Sequence, residues 1–228
     1  HYPLRRQRQM CIRDRDEDGQ KAMIAVFSDL HTAVAELDGD AADLSGAVGT
    51  IALYDPKASE LHVGNVGDAK ALVGGLLGEC EELTVDHYCT VDEEKQRIVE
   101  AGGRVDASDD IQLGTLGEVR VWKGSEVLHT VSRAIGDLQG KKVGMLHTPS
   151  VRRFDLGSQH RFMVMCSSGV WKVMHAEGAA SLVTDLMSKA SELKPIVEEL
   201  VEQASERWAE LWQGENTSSL LLIFPNVP

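Results

Sequence analysis

Apolar side chains recur at helical spacing over residues 21–37 (KAMIAVFSDLHTAVAEL), which predicts a helix with Asp38-Gly39 as its stop. The pattern then changes period. AVGTIALYD, Pro56-Lys57 and SELHVGNVGDAKALVGG are short β-rich runs broken by Asp-Pro and Gly, and they predict an antiparallel meander. Residues 91–101 (VDEEKQRIVEA) form a charged amphipathic helix that Gly102-Gly103 ends, because glycine takes the positive φ of a helix C-cap. Strand-like runs and Gly turns return over 111–135, and RFMVMC (161–166) predicts a buried strand. Two helices are expected at 175–192 and 194–211, with Pro195 near the start of the second, where its missing N–H costs little. SSLLLIF (218–224) predicts a final, fully buried strand. Strand runs and helix runs are segregated and do not alternate. The expected class is therefore α+β, with antiparallel sheets.

A chain of 228 residues, 43% hydrophobic, is long enough for one domain with a sizeable core. The net charge of -13 argues against nucleic acid and anionic membranes as partners. No run approaches the length of a membrane span. Cys11, Cys80, Cys89 and Cys166 form no C-x-x-C pair, so a zinc ribbon or redox motif is not expected. Reduced thiols and a cytoplasmic or nuclear setting are the default. The first fifteen residues stand apart, with five arginines against the single acid Asp14. Residues 1–15 read as a non-native or disordered segment, with a basic targeting arm as the alternative, and 16–228 as the folded domain.

Several segments carry chemistry when taken in order. Ser45-Gly46 precedes a strand; Gly64-Asn65-Val66-Gly67-Asp68-Ala69-Lys70 forms a turn; Leu83-Thr84-Val85-Asp86-His87 follows. Arg97-Ile98-Val99-Glu100-Ala101-Gly102-Gly103 ends a helix, and Val131-Ser132-Arg133-Ala134-Ile135-Gly136-Asp137 comes later. Cys166-Ser167-Ser168-Gly169-Val170-Trp171-Lys172-Val173-Met174 and Gly214-Glu215-Asn216-Thr217 complete the series. Each is weak alone. In this order they resemble the motifs of the protein phosphatase 2C family of metal-dependent Ser/Thr phosphatases. The resemblance implies two stacked antiparallel β-sheets flanked by helices. It also implies a domain truncated at its N-terminus, without the first strands.

In that family two Mg²⁺ or Mn²⁺ ions bind the phosphate and activate a bridging water, clamping the attacking and leaving oxygens. Hard dications need oxygen ligands, chiefly carboxylates and waters. The family's D-G-H-G-G motif has no match here, since Asp18-Gly19-Gln20 lacks the His-Gly-Gly. The resemblance puts Ser168 where the family has a ligating Asp, and Lys172 where it has another. A lysine about 6 Å from a dication would cost about 5 kcal/mol of repulsion at an effective dielectric of about 20. Asp86 and Glu215 remain as weak candidate metal ligands, Glu215 being one methylene longer than the family's Asp. Asp68, Asp137, Arg133 and Gly169 are expected to be structural. The two aspartates sit in Gly-Asp turns, and the arginine anchors a buried carboxylate such as Asp68 or Asp137.

The remaining chemistry-bearing residues read as structural. His87, His129, His147 and His175 have no metal-binding spacing. Cys166 reads as a strand residue, since no basic neighbour in the sequence would lower its pKa. Trp208 and Trp212 lie four apart on one helix face, a core-packing spacing. Two functions follow. One is a degenerate phosphatase-2C-like domain, a pseudophosphatase or inactive fragment that binds a phosphoprotein or other protein partner. The other is an active Mg²⁺/Mn²⁺-dependent phosphatase of phosphoserine and phosphothreonine.

Overall fold

The computed structural model describes residues 2–37, 43, 45–108, 118–189, 192–211 and 215–224, with side chains of the first helix described from residue 17. Helix α1 (Tyr2–Ala35) leads into β1 (Gly46–Ala47), β2 (Gly49–Asp55), β3 (Glu60–Val66), β4 (Lys70–Gly75) and β5 (Cys80–Glu82). Helix α2 (Asp92–Glu100) precedes β6 (Arg104–Ala107), β7 (Val119–Lys123), β8 (Glu126–Val127) and β9 (Ile135–Gly136). A single turn, α3 (Leu138–Lys141), then introduces β10 (Ser150–Asp155) and β11 (His160–Cys166). Another short turn, α4 (Ser168–Trp171), is followed by α5 (Ala176–Met187), α6 (Lys194–Glu210) and β12 (Ser219–Ile223).

Among the described residues the named strands pair antiparallel. One main sheet has the order β10-β3-β2 and the other β12-β11-β4-β5. The period-two alternation of the strands explains how they stack. Leu61 and Val63 of β3 meet Ala71 and Val73 of β4 and Met163 of β11 in a core between the sheets. On β4 and β11 the alternate residues Leu72, Phe162, Val164 and Cys166 face the other way, onto α5 and α6. On the outer side of the three-stranded sheet, Phe27 of α1 packs with Val66 and Ile135. The layers are therefore α1, sheet, sheet, then α5 with α6. Each fully buried large apolar side chain contributes about 1.5–3 kcal/mol. Helices α5 and α6 are amphipathic, each burying one face.

The α+β class and the stacked antiparallel sheets agree with the sequence expectation. A third sheet, β6-β7-β8, and the β1-β9 ribbon were not foreseen. The third sheet shares a separate small core with α2, built on Ile98, Val105 and Val121. α2 ends as expected, with Gly102 at φ 88° and its N–H donating to the Val99 carbonyl. The β2–β3 turn follows from Asp55-Pro56, since Asp55 Oδ1 accepts from the N–H groups of Lys57 (2.8 Å) and Ala58 (3.2 Å).

Three expectations need correction. The helix expected at 21–37 spans Tyr2–Ala35. Helix α5 stops at Met187, short of the expected 192. The last strand is not fully buried: among the described residues β12 pairs only with β11, at the sheet edge, and Leu220 is 52% exposed. A continuous apolar run cannot tell an edge strand from a central one. Asp38-Gly39, residues 111–117 and Trp212 lie outside the described residues. Among the described residues no helix is long and apolar enough to cross a membrane.

Candidate functional site

The β3–β4 turn delivers Asp68 to one end of the sandwich, and the turn is gripped from several sides. Buried Asn65 donates through Nδ2 to the carbonyls of Gly67 (3.1 Å) and Val85 (3.0 Å), and Thr50 Oγ1 donates to its Oδ1 at 2.7 Å. Gly67 sits at φ +94°, and a Cβ there would fall 2.1 Å from Val48 Cγ1, so only glycine fits. Its N–H donates to His87 Nδ1 at 3.1 Å, and His87 Nε2 lies 2.7 Å from Ser150 Oγ. His87 is 3% exposed and satisfied on both ring nitrogens. Burial, aided by the Arg133 guanidinium, lowers its pKa to about 4.

Asp68, Asp86, Glu215 and Lys172 come together electrostatically at this end. Asp68 is 5% exposed. Burial pushes its carboxyl above the usual range; Lys172 opposes that rise, and Asp86 and Glu215 add to it. Lys172, just after α4, reaches Glu215 across the chain, Nζ to Oε1 2.6 Å. Lys70, at the start of β4, forks between Glu82 Oε2 (2.9 Å) and Asp86 Oδ2 (3.4 Å). Burial alone would lower the Lys70 pKa, but the two carboxylates outweigh it and raise it. Asp86 receives the longer arm of that fork, so burial prevails and its pKa rises. Its Oδ1 is buried with no hydrogen-bond partner. The Tyr88 hydroxyl lies within the same field, its pKa raised by burial and then by Asp68, Asp86 and Glu215.

Ser168 opens α4, and Ser167 before it makes no side-chain cap. The next residue, Gly169, packs against the chain entering β12: a Cβ there would lie 2.4 Å from the Asn216 carbonyl oxygen. Its own carbonyl accepts from Trp208 Nε1 at 2.6 Å, which puts Trp208 in the core. Trp171 Nε1 donates to the carbonyls of Cys166 (2.9 Å) and Lys70 (3.2 Å), tying α4 to both central strands. Burial pushes the Cys166 thiol up to about 12, so it is no nucleophile at neutral pH. Beside this end lies a cleft of about 350 Å³ lined by Thr50, Ala69, Cys166, Ser167, Ser218 and Ser219, hydroxyl-rich and without a carboxylate.

Arg133 and Asp137 lie elsewhere. The expectation that Arg133 anchors a carboxylate such as Asp68 or Asp137 is corrected in its partner. Arg133 holds Glu94, Nη2 to Oε1 2.5 Å and Nε to Oε1 3.1 Å. Arg97 donates to the same carboxylate at 2.7 Å, and Ser132 Oγ donates to it as well. Burial would raise the Glu94 pKa, yet these three donors reverse that and hold it well below the usual carboxylate range. Asp137 stands at φ +51° and caps α3, its Oδ1 accepting from the Gly140 N–H at 3.0 Å.

Lys70, Glu82, Tyr88 and Glu94 carried no expectation in the sequence. Glu94 had a signal: it lies four residues before Ile98 and three before Arg97, a carboxylate on the buried stripe of α2. Lys70 had none, because its fork depends on how β4 meets β5 and the segment after it.

A divalent cation would need several converging carboxylates. Among the described residues no three or more His, Cys, Asp or Glu side chains are arranged to hold a metal ion. Glu215 and Asp86 each face a lysine ammonium, and Ser168 offers only a hydroxyl. The described residues therefore do not fit the pair of dications on which the resemblance depends.

The protein-family model for Protein phosphatase 2C matches residues 4–210. Probable protein phosphatase 2C 73 of Arabidopsis thaliana is 29% identical, covering 77% of this chain and 47% of its own length. Probable protein phosphatase 2C 34 of the same plant is 28% identical, covering 95% and 62%. The chain thus spans about half the length of these curated relatives. Among solved structures, the serine-threonine phosphatase 2C from Toxoplasma gondii superposes with a TM-score of 0.69 at 24% identity, covering 80% of this chain and 60% of that one. Members of this family are generally Mg²⁺- or Mn²⁺-dependent. The layered sandwich, the gripped Gly-Asp turn and the family match over residues 4–210 agree, and the chain belongs to the protein phosphatase 2C family.

Proposed function

We propose that this chain is a catalytically impaired phosphatase-2C domain, a pseudophosphatase or inactive fragment, that binds a protein partner, in the first instance a phosphoprotein. The observation that carries the reading is the Lys172 ammonium, 2.6 Å from Glu215 Oε1. A carboxylate engaged that closely by an ammonium is a poor ligand for a dication, and Ser168 supplies no charge to replace it. A cytoplasmic or nuclear setting goes with the same reading.

A second reading keeps one observation in its favour. Asp86 Oδ1 is buried without a hydrogen-bond partner, the state of an oxygen waiting for a ligand. It supports an active Mg²⁺/Mn²⁺-dependent phosphatase of phosphoserine and phosphothreonine. Calorimetric titration of the whole chain with Mn²⁺, run beside turnover of p-nitrophenyl phosphate and a phosphothreonine peptide, separates the two. A folded sample with neither heat of binding nor turnover is the expected result. Micromolar Mn²⁺ binding with metal-dependent turnover would establish the second reading and end the first.

A further inference from the structure

The carboxylates of Asp68, Glu82, Asp86 and Glu215 gather at one end of the sandwich, and like charges so placed repel. We infer that the ammonium groups of Lys70 and Lys172 are the fixed counter-charges of this acidic end, so that its packing depends on the two lysines and not on Mg²⁺ or Mn²⁺. The inference rests on the reading of an impaired metal site and goes further, giving the lysines a structural task.

The geometry supports that task. Lys172 joins segments far apart in sequence, while Lys70 ties β4 to its neighbouring strand and to the segment that follows that strand. Lys172 links the end of α4 to the segment entering β12, through Glu215 at 2.6 Å. Lys70 links the start of β4 to β5 through Glu82 and to the next segment through Asp86, at 2.9 and 3.4 Å. The two lysines are also mechanically connected. Trp171, the residue before Lys172, donates its indole N–H to the Lys70 carbonyl at 3.2 Å. Their side chains are 17% and 31% exposed, more sheltered than ordinary surface pairs, so salt screens them less. A dication binding Asp86 Oδ2 or Glu215 Oε1 would have to displace the ammonium group that engages it.

Thermal unfolding of the whole chain, with and without millimolar Mn²⁺, tests this on K172M, K70M, K172R and K172D. The two Met variants keep most of the side-chain volume and lose the charge. Each is expected to melt about 2–4 °C below the unaltered protein, as expected for a half-buried ion pair in a chain of this size. K172R, which keeps the charge, is expected to melt with the unaltered protein. Mn²⁺ is expected to leave the unaltered melting temperature unchanged and to raise that of K172D. Met variants that melt with the unaltered chain would overturn the inference. So would Mn²⁺ stabilising the unaltered chain as much as it stabilises K172D. Turnover by the unaltered chain would instead overturn the impaired-enzyme reading, so the two failures are distinguishable.

Discussion

Glu94→Ala lowers the free energy of unfolding by about 3–5 kcal/mol, enough to leave a domain of ordinary stability barely folded. The reason is the asymmetry between making and breaking a buried ion pair. Two guanidinium groups, those of Arg97 and Arg133, converge on one carboxylate that is itself 4% exposed. Removing the carboxylate leaves both cations sheltered from water with only backbone carbonyls for company. Arg97 keeps the Gly144 carbonyl at 2.8 Å, and Arg133 keeps that of Thr148 at 3.1 Å. Ser132→Ala removes only one neutral donor to the same carboxylate and costs about 1–2 kcal/mol. Urea unfolding followed by circular dichroism measures both. A Glu94→Ala cost no greater than that of Ser132→Ala would mean the arginines find other partners, and the network would not be the anchor described.

Acid destabilises the protein as pH falls from about 6.5 towards about 4, by about 3 kcal/mol from His87 alone. The ordinary histidine value is 6.5 and the folded-state value is about 4. A histidine whose folded pKa is lowered contributes stability that is fully present above 6.5 and is lost as pH falls through the window between the two values. The local chemistry agrees. Nδ1 accepts the Gly67 N–H, so protonating it would set two donors face to face at 3.1 Å. His31, His147 and His160 are also lowered, by burial first, and act in the same direction. Asp68 and Asp86 act the opposite way, because their raised pKa values favour the folded state at low pH. The unfolding free energy of the unaltered chain and of His87→Gln, measured between about pH 7.5 and 4.5, isolates the histidine. The variant should show the shallower decline. Equal slopes would mean that His87 is not the group that titrates.

The elements that local chemistry dictates were legible in the sequence. Glycine at positive φ ends α2, Asp55-Pro56 turns β2 into β3, and short β-rich apolar runs mark β3, β4 and β11. The series of turn motifs was legible for the same reason, since each motif is a few adjacent residues. What distant segments decide was not. Arg133 could be assigned a carboxylate but not the right one, because Glu94 lies 39 positions earlier on a helix. The apolar run of β12 looked like an interior strand, and only the sheet order shows that among the described residues its outer edge lacks a neighbour. At the candidate site, Ser168 and Lys172 were visible as departures from a motif, whereas the partner of Lys172 and the fork at Lys70 required the folded chain.

The two sheets are covered unequally among the described residues: α1 alone lies on one, and α5 with α6 lies on the other. The molecule therefore has a thin flank and a thick one, and its opening reactions should be ordered accordingly. A helix that packs as a single element can lift away without breaking the sandwich, whereas β4 and β11 lie under apolar contacts on both faces. In native-state hydrogen exchange the amides of residues 23–35 should trade with solvent well before those of residues 71–74 and 162–165. Exchange of both groups at one common rate would mean that the thin flank is bound as firmly as the thick one.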